Sequence, residues 1–325
     1  MPIETNKFAE KLQSKELITD SQMKSIREYE ALGIFSIHNE LRFLLYLAVL
    51  LFTSGVGIII YKNIDSIGHI AILGFLFVLT GFGFYFCFKK AKGFYRDAVF
   101  FDSSFYDYIV LLCTILSCIF IGYLQFQYQV FGYGLSSLVC SLIGFFCGYY
   151  FDNKSALSIA ITGLATFIGI TVTPKALIEN EIYSDPSLTY YGLALGVLLI
   201  VWGEYSNKIS LKKHFRLVFL TFAQHLIGIC CIAGLLDDYW FVFAMFLAAS
   251  TYFFYKISYE TSSTFLFVFT LLYGYAGINI VLFNFLEFIE ISRIGAFLTI
   301  VAPMYFIGSI FGFIKLIQNF NRNKA

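Results

Sequence analysis

Long apolar runs separated by short polar connections fill most of the chain after residue 40. A helix needs about 20 apolar residues to cross a hydrocarbon core of about 30 Å, and each run has close to that length. The runs are apolar at odd and even positions alike, whereas the strands of a membrane β-barrel alternate. The pattern predicts an all-α polytopic transmembrane bundle of about ten spans, built from stacked antiparallel helical hairpins. The runs lie at about 42–61, 70–88, 106–124, 131–151, 155–173, 188–205, 217–236, 239–257, 262–285 and 294–316.

The composition supports this prediction and excludes other classes of protein. Hydrophobic residues make up 59% of the chain and charged residues 13%, whereas a soluble domain carries about 25% charged residues. The polar surface is too small to coat a water-soluble protein, so the lipid bilayer is the expected partner. A net charge of +1, with no stripe of Lys and Arg along any helix, argues against binding of nucleic acid.

The positions of Lys and Arg predict the orientation in the membrane, because short cytoplasmic loops are rich in basic residues. With the N-terminus in the cytoplasm, only Lys62, Lys175 and Arg293 fall outside. An even number of spans and two cytoplasmic termini follow. The basic residues assigned to the cytoplasmic side are Lys89, Lys90, Lys92, Arg96, Lys154, Lys208, Lys212, Lys213, Arg216, Lys256, Lys315, Arg322 and Lys324.

Residues 1–40 form a hydrophilic segment that we treat as a cytoplasmic domain, separate from a membrane domain at 41–325. The segment predicts no cleavable signal peptide, so the first apolar run is expected to be an uncleaved anchor. Two short helices are expected at 3–14 and 20–31, with Thr19 and Gln22 forming a capping box. About thirty residues cannot bury an independent core. The hairpin is therefore expected to dock on the inner loops, the membrane surface or a protein partner.

A weak repeat marks three cytoplasmic ends of spans. Residues 149–154 (Tyr-Tyr-Phe-Asp-Asn-Lys) begin a tight turn, residues 204–208 (Glu-Tyr-Ser-Asn-Lys) do the same, and 254–256 (Phe-Tyr-Lys) give a shortened form. A repeat of this kind indicates stacked hairpins. The alternative is that Tyr and Lys recur at every cytoplasmic interface for chemical reasons alone.

The N-terminal region resembles a known family. The residues are Leu12 to Gln22 (Leu-Gln-Ser-Lys-Glu-Leu-Ile-Thr-Asp-Ser-Gln) and Gly55 to Ile67, where Ile64 replaces the Trp usual in the family. Over about residues 8–90, the chain is similar to an uncharacterised bacterial membrane-protein family catalogued as domain of unknown function two-one-five-seven. The resemblance implies a bacterial inner-membrane protein that opens with a short helical hairpin. It implies no activity.

The sequence contains no motif that indicates catalysis, a cofactor or a metal. There is no phosphate-binding loop, no dinucleotide-binding glycine pattern and no His-Glu-x-x-His. The seven cysteines form no Cys-x-x-Cys pair, and the four histidines are scattered. Cysteines in apolar runs behave as small hydrophobic residues. We therefore expect no cofactor, no metal site and no catalytic residue.

Polar residues inside the apolar runs are the remaining candidates, because burying them in a bilayer is costly. Gln224 and His225 lie near the middle of the seventh run. In one interpretation they belong to a polar site in the inner half of the bundle, where His225 relays protons or binds a substrate. In the other they hydrogen-bond between helices without further function. The candidate site residues are Gln224, His225, Glu204, Thr80, Thr162 and Ser250.

Glu204 has a simpler explanation. Lys208 follows it by four residues, which is the favourable spacing for an ion pair along a helix. Three functions stay open at this point. The first is a non-enzymatic scaffold, sensor or partner-binding subunit, the second a transporter or channel for a small solute, and the third a membrane-embedded enzyme. Acidic residues at Glu179, Glu181 and Asp185 would suit an enzyme, although a solvated acidic loop is the interpretation that such a charge run favours.

Overall fold

A computed structural model describes residues 13, 19, 21–25, 38–62, 68–99, 105–172, 186–237, 239–288 and 295–324. These residues form ten long helices and contain no β-strand. Each helix coincides with one of the apolar runs, so the all-α class is confirmed. The helices are α1 (His38–Lys62), α2 (His69–Lys90), α3 (Phe105–Tyr128), α4 (Tyr133–Tyr150), α5 (Lys154–Val172), α6 (Pro186–Lys208), α7 (Arg216–Gly234), α8 (Trp240–Glu260), α9 (Thr264–Phe288) and α10 (Gly295–Lys324).

Within the described residues, the eight helices α2 to α9 are long and apolar enough to cross a membrane, by length and composition. Helix α1 contains a shorter apolar stretch at Phe43–Ile59. Helix α10 occupies the position of the tenth run, and Pro303 lies inside it. The structure therefore agrees with a polytopic helical bundle in which ten is an approximate number of spans.

The chain divides into two compact units, Met1–Ile58 and Ile59–Ala325. In the first unit, the predicted capping box is present. The N–H of Thr19 donates to Gln22 Oε1 at 2.9 Å, and the N–H of Gln22 donates to Thr19 Oγ1 at 3.4 Å. Residues 21–25 are helical. Gln13, in the first predicted short helix, is also helical. The other residues of the two predicted short helices, together with residues 32–37, lie outside the described residues.

The second unit is an array of helical hairpins. Helices adjacent in sequence pack as the pairs α2–α3, α4–α5, α6–α7 and α8–α9. Helix α7 also contacts α5, α8 and α9, so it lies at the centre of this part of the bundle, while α10 packs on α9. This arrangement confirms the predicted antiparallel hairpins and places the polar residues of α7 among several helices.

Three hairpins share one backbone turn. Asp152, Ser210 and Ser262 each adopt a left-handed conformation after α4, α6 and α8. In each turn the next N–H bonds to the carbonyl five residues earlier, which ends the helix in a Schellman motif. The repeat therefore extends beyond interfacial Tyr and Lys to the conformation of the turn. The three bonds are Asn153 N–H to Gly148 O at 3.0 Å, Leu211 N–H to Ser206 O at 2.9 Å and Ser263 N–H to Ser258 O at 3.0 Å.

Glycines allow α4 and α5 to approach closely. A Cβ atom at Gly144 would lie 2.9 Å from the Cα of Ala160, and one at Gly148 would lie 3.1 Å from the backbone N of Leu157. Small residues at a helix contact let two backbones pack tightly in a membrane. The connection between these helices is correspondingly short, since α4 ends at Tyr150 and α5 begins at Lys154.

Candidate functional site

The six residues predicted from the sequence do not form one site. Gln224 and Ser250 line the same small cavity between α7, α8 and α9. His225 is hydrogen-bonded beside that cavity, to Tyr273 of α9. The other three candidates, Thr80 on α2, Thr162 on α5 and Glu204 on α6, lie in different surroundings.

Gln224 connects α7 to α9. Its Nε2 donates to the carbonyl O of Leu266 at 2.9 Å and to Oγ1 of Thr270 at 2.7 Å. The Thr270 hydroxyl in turn donates to Leu266 O at 2.7 Å. Gln224 is only 2% exposed, so these bonds are made away from the surface of the bundle. A hydrogen bond between transmembrane helices stabilises their contact by about 0.6 kcal/mol on average.

The cavity beside Gln224 is small. Its volume is about 10 Å³, close to the space that a single water molecule needs. No charged residue lines it. The lining residues are Gln224, Gly228, Leu247, Ser250, Thr251, Phe254, Thr270 and Tyr273.

His225 lies in an aromatic contact between α7 and α9. Its Nδ1 is 2.9 Å from the hydroxyl oxygen of Tyr273. Its ring also meets Phe265 and Phe269 edge-on, with centroid distances of 5.8 and 4.5 Å. The imidazole therefore belongs to a packed helix–helix interface in the described part of the bundle.

Glu204 pairs with Arg216, which is twelve positions further along the chain. The distance from Arg216 Nη2 to Glu204 Oε1 is 2.8 Å, and Arg216 Nη1 is 2.8 Å from Oε1 of Glu260. One guanidinium thus joins the ends of α6, α7 and α8. The ion pair with Lys208 at i+4 was the sequence expectation. In the structure the Glu204 carboxylate instead pairs with Arg216, across the loop between α6 and α7.

Thr80 and Thr162 lie apart from His225. Thr80 Oγ1 is buried and has no hydrogen-bond partner among the described residues. Thr162 donates to the carbonyl of Ser158 on its own helix at 2.9 Å. It lines a cavity of about 410 Å³ between α3, α4 and α5. The lining of this cavity is mostly small and hydroxyl-bearing: Cys118, Gly122, Ser136, Ser137, Cys140, Ser158, Ile159, Thr162, Gly163 and Thr166.

A second polar cluster, which the sequence did not single out, joins three loops at the ends of the hairpins. We call Asp152, Lys212 and His214 the inner-loop cluster, after the side of the membrane that the sequence predicts for these loops. Asp152 Oδ1 accepts a hydrogen bond from Lys212 Nζ at 2.8 Å. The same oxygen lies 2.8 Å from His214 Nε2. Asp152 Oδ2 accepts from the N–H of Val99 at 2.5 Å. The side chains of Lys212 and Asp152 are 0% and 4% exposed, so the ion pair is buried.

Backbone contacts surround the inner-loop cluster. The N–H of Lys212 donates to the carbonyl of Arg96 at 2.6 Å, and Arg96 Nη2 donates to the carbonyl of Ile209 at 3.0 Å. Asn153 Nδ2 donates to the carbonyl of Asp107 at 2.9 Å. The connections after α2, α4 and α6 are thereby held in a single arrangement.

The pKa of Asp152 reflects these contacts. Burial raises the pKa of the carboxyl, but hydrogen bonds from His214, Lys212 and the N–H of Val99, together with the charge of His214, lower it by more. The net pKa lies below the ordinary value of 3.8. Asp152 is therefore ionised at neutral pH and compensates the charge of the buried Lys212.

Neither polar region offers a metal site. Among the described residues, no three His, Cys, Asp or Glu side chains are grouped so that they could hold an ion. The inner-loop cluster contains one carboxylate and one histidine, and the ammonium group of Lys212 lies 2.8 Å from that carboxylate, where it repels a metal cation. Its chemistry suits the attachment of loops to each other.

The sequence carried only a partial signal for the inner-loop cluster. Asp152 lies in the Tyr-Tyr-Phe-Asp-Asn-Lys turn that marked the repeat, and Lys212 was counted only as a loop cation. The two residues are sixty positions apart. No local spacing rule relates residues so distant, so their pairing required the packing of two hairpins.

The fold and these polar contacts define a polytopic helical membrane protein whose bundle is held by interhelical hydrogen bonds and by ion pairs at the ends of hairpins. Residues 10–157 match the family described as "Predicted membrane protein (DUF2157)". The match confirms the resemblance seen in the sequence and extends it from the first spans to the turn that contains Asp152. No curated protein and no solved structure matches the chain.

Proposed function

We propose that this protein is a non-enzymatic scaffold, sensor or partner-binding subunit of the bacterial cytoplasmic membrane, with both termini in the cytoplasm. In this proposal the bundle provides a fixed support, and residues 1–40 together with the loops between hairpins meet a protein partner. No reaction is assigned to it.

The observation that carries the proposal is the inner-loop cluster. It fixes the connections after α2, α4 and α6 through Asp152, and Arg216 fixes the ends of α6, α7 and α8. Loops held by the buried Asp152–Lys212 pair keep one conformation. A docking site requires a fixed surface, because it lowers the entropic cost of binding.

The polar residues at depth support the same proposal. Gln224 and His225 bond to α9 inside a packed interface, and the cavity next to them is too small for a solute larger than water. Groups engaged in this way hold helices together and do not line a path. This favours the scaffold over a proton-linked transporter that works through His225.

Site-specific photocrosslinking in cells tests the proposal. A photoreactive amino acid at Leu12 or at Lys213 should give one discrete protein adduct, whereas the same group at Ile229, which is exposed on the side of α7, should give none. Deletion of residues 1–40 should abolish the adduct at Lys213. The proposal fails if the deletion changes neither the adducts nor the growth of the cells.

A small-solute transporter is the second candidate, and one observation favours it. The cavity of about 410 Å³ between α3, α4 and α5 is large enough for a small molecule, and Thr162 lines it. Flux of a solute panel into liposomes decides between the candidates. Transport through this cavity predicts loss of flux in Thr162→Trp and unchanged flux in His225→Ala, whereas the scaffold predicts no flux in any variant.

A further inference from the structure

We propose that the cavity between α7, α8 and α9 binds one ordered water molecule, which joins Gln224 on α7 to the hydroxyl groups of α8. The site lies in the apolar middle of the bundle. It is distinct from the loops to which we assign partner binding, and it does not depend on that assignment.

The first argument is the hydrogen bonding of Gln224. Both of the bonds that its amide makes use the Nε2 donor, and they go to Leu266 and Thr270 on α9. Its Oε1 accepts no hydrogen bond from the described residues, although the side chain is 2% exposed. An amide oxygen buried without a donor destabilises the folded state. A donor at this position would remove that cost.

The second argument is the cavity itself. Gln224 lines a space of about 10 Å³, which is the smallest volume that holds a water molecule. A buried water molecule needs two to four polar partners, and α8 supplies hydroxyl groups at Ser250 and Thr251. Ser250 Oγ donates to the carbonyl of Leu247 at 3.0 Å, so its lone pairs remain able to accept.

These groups match the hydrogen-bonding capacity of water. The molecule donates to Gln224 Oε1 and to Ser250 Oγ, and it accepts from the hydroxyl of Thr251. A bridging water is energetically nearly as good as a direct hydrogen bond. Gln224 then connects all three helices, because its amide nitrogen bonds to α9 and its amide oxygen is bridged to α8.

The neutral lining argues for water over a cation. A buried cation in a bilayer requires carboxylates or many oxygen ligands, since an isolated charge is costly there. The eight lining residues include no acidic side chain. The experiment nevertheless includes sodium as the competing occupant to be separated from water.

Radiolytic hydroxyl labelling of the full-length protein in detergent, read by mass spectrometry, tests the site, because ordered water produces radicals next to the side chains that it touches. Phe254 lines the cavity and is 2% exposed, while Phe219 is equally buried at 1% and is not among the lining residues. We expect Phe254 to be labelled several-fold faster than Phe219. Labelling of Phe254 as slow as that of Phe219 would mean a dry cavity and would overturn the proposal.

Variants identify the origin of the labelling. Gln224→Leu and the near-isosteric Thr251→Val should each slow labelling of Phe254 several-fold. Thr166→Val on α5 removes a hydroxyl that bonds to Thr162 and that is not part of the lining, so it should leave labelling of Phe254 unchanged. Thr251→Val keeps the bonds to α9, so it remains informative if Gln224→Leu does not fold. Equal slowing in Thr166→Val would overturn the proposal. A Tm that rises when sodium replaces choline at constant ionic strength, with slow labelling, would assign the site to a cation.

Discussion

The inner-loop cluster and the Gln224 contact perform the same structural task with different chemistry. At the ends of the hairpins, Asp152 joins loops through a lysine and a histidine at 2.8 Å. At depth, Gln224 joins α7 to α9 with neutral donors and acceptors at 2.7 and 2.9 Å. The two contacts differ in charge. They also differ in the separation of the partners along the chain, which is 60 residues for Asp152 and Lys212 and 46 residues for Gln224 and Thr270.

The difference follows from the surroundings. A charge at the centre of a bilayer costs about 2.5–3.5 kcal/mol or more, so hydrogen bonds between neutral groups are energetically favoured there. Near the ends of the helices, loops and water can supply additional hydrogen bonds to a charged pair. Once such a pair is buried, however, removing one partner leaves the other uncompensated. We therefore expect the cluster to be the more sensitive of the two regions to a single substitution.

The largest effect is expected for Asp152→Asn. It leaves the fully buried Lys212 without its counter-charge, and breaking a buried pair in this way costs about 3–5 kcal/mol. Thermal unfolding in detergent measures the loss as a fall in Tm. Asp97→Asn is the matched control, because Asp97 is exposed in the loop after α2, and it should change Tm little. Equal effects of the two variants would contradict the buried pair.

The same residue predicts the dependence of stability on pH. The pKa of Asp152 is lower in the folded protein than its ordinary value of 3.8. Its contribution is therefore complete above pH 3.8 and is lost as the pH falls through the folded pKa. The Tm difference between wild type and Asp152→Asn should shrink in that acidic range. A difference that stays constant there would show that ionisation of Asp152 does not matter.

Next in size is Gly144→Ala, which probes the close approach of the α4 and α5 backbones. The new Cβ would meet the backbone of Ala160 at 2.9 Å, and overpacking costs about 1–3 kcal/mol. The Cβ atom that Gly169→Ala adds on α5 would have no neighbouring atom within 4 Å, so this variant should be neutral or slightly stabilising. Unfolding by guanidinium or by heat would compare the stabilities of the two variants. Similar stabilities of the two variants would mean that α4 and α5 are not in close contact.

A smaller effect is expected for Gln224→Leu, because hydrogen bonds between transmembrane helices contribute about 0.6–1.7 kcal/mol. The loss should appear in the same thermal assay as a modest fall in Tm. Thr166→Val is the control, since among the described residues the Thr166 hydroxyl bonds within its own helix, to the carbonyl of Thr162. If Gln224→Leu proved as damaging as Asp152→Asn, the contrast between the two regions would be wrong.

The smallest effect is expected for Arg216→Gln. Its two carboxylate partners, Glu204 and Glu260, are 35% and 54% exposed, and partly exposed ion pairs contribute about 0.2–1 kcal/mol. The deficit should diminish at high salt, because salt screens exposed charges. A large deficit that salt does not alter would indicate that Arg216 has a further buried role.

The spans were predictable because twenty consecutive apolar residues leave a helix little alternative. The hairpins were predictable from the short polar connections, and the capping box from Thr19 and Gln22. The polar contacts could be predicted from the sequence only in part. Depth along the helices was the reason for grouping Thr80, Thr162 and Ser250 with His225. In the structure Ser250 lies by the cavity that Gln224 lines, and Thr162 lies by another cavity. Depth gives height in the membrane and does not say which helices are neighbours.

The partners of charged residues were the hardest contacts to predict from the sequence. The i+4 spacing proposed Lys208 for Glu204, yet Arg216 reaches it across the α6–α7 loop. Asp152 and Lys212 meet only because two hairpins pack and the chain turns into a left-handed conformation at both positions. No pattern within a single sequence encodes such a contact between distant loops.

The comparison rests on the strength of the Asp152–Lys212 pair, and a double-mutant cycle measures it directly. The unfolding free energies of Asp152→Asn, Lys212→Met and the double variant would be compared with the corresponding cycle for Gln224→Leu and Thr270→Val. A buried ion pair predicts a coupling energy several-fold larger in the first cycle, with the double variant more stable than Asp152→Asn alone. Additive effects of Asp152→Asn and Lys212→Met would contradict it.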